Sequence, residues 1–131
     1  MKEEKIKVIM LEPGKTAYLK EVDNTLESLQ REVEGYIEVI YPFEEEICLI
    51  CNEEGKINGM RLNRAIYGEN GDIVDIIAGS AILCGCPEEY FSSLNDEQVQ
   101  KYQDIFYYPE QFLFHKEGGR PLIAIEAIKG I

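Results

Sequence analysis

The chain is cut into short apolar runs rich in β-branched and aromatic residues, each closed by turn residues, and only two stretches carry a capped helical period. Lys5-Ile6-Lys7-Val8-Ile9-Met10-Leu11 starts in alternation, becomes an apolar run and meets Pro13-Gly14, the pattern of a strand stopped by a turn. Thr16–Val22 can return beside it as a hairpin. Tyr36–Tyr41 and Ile47–Cys51 read as further strands, separated by Pro42 and Glu44-Glu45-Glu46. Asn52-Glu53-Glu54-Gly55 predicts a turn that sends the chain back through Lys56–Met60, with Gly55 at positive φ. Ile73–Cys84 is apolar enough for a buried strand or pair, with a bulge or close approach at Gly79. Leu62–Tyr67 fits a helical turn or an extended piece, Gly68–Asp72 a loop, and Pro121–Ile128 a last strand.

The helical signals are sharper. Asn24-Thr25-Leu26-Glu27 offers an N-cap and an acid three positions on, Leu26, Leu29 and Val33 share a face, and Gly35 supplies a left-handed stop. A helix over about 24–34 follows. Asn95-Asp96-Glu97-Gln98 repeats the capping pattern, and Val99, Tyr102 and Phe106 continue one face until Pro109, which predicts a second helix over 96–107. The expected fold is α+β: a mostly antiparallel sheet of about five to seven strands carrying two short amphipathic helices, in one domain over 1–131.

Charge narrows the function classes. With 13 basic and 25 acidic residues the net charge is -12, so attraction to nucleic acid or an anionic membrane is disfavoured and a basic partner is the easier fit. Residues 36–60 hold six acids against one base, and residues 87–131 eight against four. No run reaches the length of a membrane span, and Met1–Lys5 lacks the apolar core of a signal peptide, which points to the cytoplasm.

Catalytic and metal constellations are weak. Cys48-Leu49-Ile50-Cys51 and Cys84-Gly85-Cys86 could in principle give four thiolates to zinc, but residues three apart on a strand face opposite sides. Apolar and acidic neighbours also disfavour reactive thiolates, so the cysteines are expected to be reduced, buried and metal-free. His115 is the only histidine and sits in the aromatic segment Phe112-Leu113-Phe114-His115, which leaves one imidazole for any nucleophile. Glu44–Glu46 and Glu53-Glu54 read first as a solvated surface.

The segment that stands out combines amide, carboxylate and cationic groups near one turn: Asn52, Glu53, Glu54, Lys56, Asn63 and Arg64 are the candidate ligand-binding residues. No cofactor, no metal and no catalytic residue is assigned. Arg64 is expected to lie partly buried against a carboxylate, with Glu53, Glu54, Glu38 and Asp75 as candidate partners.

Several of these short motifs occur together in a known family. Glu12-Pro13-Gly14, Asn24-Thr25-Leu26, Gly35-Tyr36-Ile37-Glu38, Asn52-Glu53-Glu54-Gly55-Lys56, Asn63-Arg64, Asp75-Ile76-Ile77-Ala78-Gly79 and Ser93-Leu94 resemble the family called domain of unknown function 3846. The resemblance covers about residues 6–102 and leaves the tail 108–131 unmatched. It implies a setting in bacteria of the clostridial kind, their phages and mobile elements, and no activity. The expected function is a non-enzymatic binding or accessory protein with an unknown protein or small-molecule partner. The alternatives are a nucleic-acid mimic that occupies DNA-binding proteins, and a small enzyme working through carboxylates and Arg64.

Overall fold

The computed structural model describes residues 3–117 and 120–127, with side chains to Phe112. In chain order it contains β1 (Lys5–Leu11), β2 (Tyr18–Asp23), α1 (Leu26–Val33), β3 (Ile37–Ile40), β4 (Ile47–Asn52), β5 (Leu62–Tyr67), β6 (Ile73–Ala78), β7 (Ala81–Gly85), α2 (Asp96–Phe106), β8 (Glu110–Glu117) and β9 (Arg120–Ala127). The fold is α+β. A five-stranded sheet runs in the order β2-β1-β7-β4-β3, and β5-β6 and β8-β9 form separate two-stranded sheets. All pairings between these strands are antiparallel.

Strand alternation explains the layering. Ile9 and Leu11 of β1, Ile47, Leu49 and Cys51 of β4, and Ala81 and Leu83 of β7 enter one core together with Ile66 and Ile77 of the β5-β6 hairpin and Tyr102 and Phe106 of α2. Ile6, Val8 and Met10, Cys48 and Ile50, and Ile82 and Cys84 point the other way, onto Leu29 and Val33 of α1. The central strands are therefore covered on both faces, which is why β4 and β7 are buried along their whole length. The continuous apolar runs seen in the sequence come from this double coverage.

Both helices start on a side-chain cap. Asn95 accepts from the Gln98 amide while Gln98 reaches back to the Asn95 amide, a complete capping box. In α1 the cap is Thr25 rather than Asn24, with its hydroxyl accepting from the Ser28 amide. Asn24 is buried instead and donates to the Glu3 and Phe91 carbonyls.

Three local expectations are corrected. Leu26 is 58% exposed although Leu29 and Val33 are buried. Side chains lean toward a helix's N-terminus, so a residue in the first turn projects past the layer that its successors cover. The left-handed stop falls on Glu34, at φ 62°, and not on Gly35. Gly35 is needed for space: a Cβ there would lie 2.6 Å from Asn52 Nδ2. Residues 53–59 form successive turns rather than a turn and a returning strand. Positive φ there falls on Gly59, while Gly55 lets the turn press against β6, since its Cβ would lie 2.7 Å from the Ala78 carbonyl oxygen. Among the described residues no helix is long and apolar enough to cross a membrane.

Candidate functional site

The six residues picked out by composition separate into a surface group and a buried group. Asn52, Glu53 and Lys56 line a cleft of about 240 Å³ together with Glu38, Cys51, Ile57 and the β6 residues 75–78. Glu54 is exposed in the same turn, outside that lining. Asn63 and Arg64 lie in the interior.

The buried pair fastens the fold. Asn63 Nδ2 donates to the Leu11 and Gly79 carbonyls, both at 2.8 Å, and its Oδ1 accepts from an Arg64 Nη at 2.9 Å. Arg64 is 1% exposed, and its fork donates to the carbonyls of Phe106 at 3.1 Å and Lys15 at 2.7 Å, with a longer contact to Glu12 at 3.4 Å. The expected carboxylate partner is replaced by backbone carbonyls and the Asn63 amide oxygen. A guanidinium has five donors in a fixed fork, and here they reach the loop after β1 and the end of α2, whose last carbonyls have no partner within the helix. Burial pushes this guanidinium below its ordinary pKa, and the nearby Glu110 carboxylate acts in the opposite sense.

The cleft is assembled from three places. Glu38 and Cys51 face each other in the β3-β4 register, and the Cys51 thiol lies 3.9 Å from a Glu38 carboxylate oxygen. Asn52 ends β4, donating to the Val33 carbonyl and accepting from the Glu54 amide, which joins the end of α1 to the start of the turn. Asp75 of β6 accepts from Lys56 Nζ at 2.6 Å and from the Ile76 amide at 2.8 Å. Lys56, the one base in the lining, is thus already paired. Burial first, and the Glu38 carboxylate second, push the Cys51 thiol up to about 11, so it is protonated and poorly nucleophilic near neutral pH.

Glu38 and Asp75, candidate partners of Arg64, and Cys51, a candidate thiol ligand, meet in one cleft because of how β6 lies against the sheet. The remaining cysteines are elsewhere. Cys48 and Cys51 point to opposite cores, and Cys48 faces Cys84 across the β4-β7 ladder with the sulfurs 3.8 Å apart. Among the described residues no group of three His, Cys, Asp or Glu side chains could hold a metal ion. His115 belongs to β8, but its side chain is outside the described residues.

A family model described as Domain of unknown function (DUF3846) matches residues 6–107, which ends one residue past α2 and leaves out the β8-β9 hairpin. No curated protein and no solved structure matches the chain.

Proposed function

The chain belongs to the DUF3846 family, and on that premise we propose that it works by binding, its cleft receiving a cationic group from a basic partner. The observation that carries this reading is the balance of the lining: Glu38, Glu53 and Asp75 against Lys56, which Asp75 already holds. A guanidinium or ammonium entering there meets the exposed Glu38 and Glu53 carboxylates beside the Asp75–Lys56 pair and can form charge-assisted hydrogen bonds with them. The protonated Cys51 argues for recognition rather than thiol chemistry. An accessory role in phages or mobile elements is compatible with such a module, and the net charge of -12 would draw basic partners from a distance.

The test uses N-acetyl-arginine amide as probe. Titration followed by NMR should give saturable shifts at residues 51–56 and 75–78, and the Glu38→Gln/Glu53→Gln double variant should weaken binding by at least about fivefold. Equal binding by that variant, or shifts spread evenly over all acids, would sink the reading.

A further inference from the structure

β6 borders the cleft with its backbone. Side chains alternate along a strand, so the four consecutive residues Asp75, Ile76, Ile77 and Ala78 line one cleft only if the strand presents its edge to it. That edge has no strand partner, because β6 pairs with β5 alone; the 53–59 turn covers it at Ala78, and it is accessible at Val74 and Ile76. Ala65 and Ile76 are opposite in the β5-β6 register, and both amides are taken by carboxylates outside the ladder. This is the behaviour of a pair whose N–H groups point outward. On the β5 side the carboxylate is Glu110 of β8, at 2.7 Å. On the β6 side it is only the neighbouring Asp75, an arrangement that an incoming carbonyl can replace.

A second space borders the same strand one residue before the cleft. Val74, the preceding β6 residue, lines an open groove of about 620 Å³ together with Tyr41, Phe43, Tyr67 and Ile105. Tyr41 and Val74 are 65% and 64% exposed. Glu44, Glu45 and Glu69 also line it, and its one base, Lys101, is paired with Glu45. Cleft and groove are each bounded by β6 on one side and by β3 or the loop after it on the other.

We propose that the β6 edge is a docking site for an extended segment of another protein, a segment carrying lysine or arginine beside apolar residues. The segment adds a strand to the β5-β6 hairpin, its backbone taking the Ile76 amide, its basic side chain lying between Glu38 and Glu53, and an apolar side chain covering Val74 and Tyr41. Exposed strand edges are templates for such pairing, with the backbone giving affinity and alternate side chains giving specificity. Charge complementarity selects the occupant: the acids around both spaces repel a second copy of a chain at -12 and favour a basic segment. The proposal rests on the cleft being a cation site and adds the backbone pairing.

The experiment compares three probes on the full chain: N-acetyl-arginine amide, the peptide acetyl-Val-Lys-Val-Arg-Val-amide, and the same peptide methylated at alternate backbone nitrogens. Strand addition predicts that the plain peptide binds at least about tenfold tighter than the single residue, that methylation removes this gain, and that Ile76 amide exchange slows in the complex. If the methylated peptide binds as well as the plain one, the strand pairing is wrong while the cation reading stands. If neither peptide nor single residue binds, both fall. If sedimentation shows a dimer that the plain peptide dissociates, the occupant is a second copy and the proposed partner is wrong.

Discussion

Arg64→Lys keeps the charge and loses the fork, so the carbonyls of Phe106 and Lys15 and the Asn63 side chain cannot all be reached from one ammonium. Losing two such charge-assisted bonds in a buried site should cost about 2–4 kcal/mol, read as a lower urea midpoint at unchanged slope. A midpoint within error of the parent would mean that the carbonyls find other donors. Leu29→Ala should cost about 2–5 kcal/mol as a buried leucine, whereas the more exposed Leu26→Ala should stay within about 0.5 kcal/mol. Equal losses at the two positions would show that α1 sits differently on the sheet. The thiols set an alkaline limit. Cys51 is raised from 9.0 to about 11, chiefly by burial, and Cys48 is raised by its contact with Cys84 and by burial. Both ionise more readily in the unfolded chain, so their contribution is intact below pH 9; that of Cys51 is lost as pH rises towards 11, and that of Cys48, raised further, goes on falling above it. Cys51→Ala should flatten the fall of the urea midpoint over that window; an unchanged slope would remove Cys51 from the account.

At the scale of elements, the Asn95–Gln98 box holds the start of α2, and Asn95→Ala should cost about 1 kcal/mol. Gln98→Ala should cost less, because only the reciprocal bond to the Asn95 amide goes; chemical denaturation of the two variants gives the comparison. These caps were legible because a capping box is a local pattern, and so were β1, β4 and the strand pair 73–84, whose apolar runs end at turn residues. The less legible elements depended on contacts made at a distance. Leu62–Tyr67 has no clear period because Asn63 and Arg64 are buried polar residues serving distant carbonyls. Gly35 and Gly55 read locally as a left-handed stop and a positive-φ turn position but make room for Asn52 and the Ala78 carbonyl, partners that no local window contains.

Across the whole molecule, β1, β7 and β4 lie between two cores, and their amides should exchange slowest with solvent, ahead of those of the edge strands β2 and β3. Equal protection across the sheet would contradict that layering. The candidate site was half legible for the same reason: Asn52, Glu53 and Lys56 are neighbours in sequence, while Glu38 and Asp75 join them only through the packing of the β5-β6 hairpin on the sheet. The Arg64 clamp has a consequence in time. It joins β5 to segments 42 to 52 residues away, the last of them the end of α2, so its bonds close only when chain segments from both sides of β5 have come together. Bonds across such separations are expected to close after the transition state for folding and so to act as a latch on the way out. Arg64 therefore governs how long a folded molecule stays folded more than how quickly one forms: its variants should refold at nearly the parental rate and open much faster, shortening the molecule's life under proteolysis.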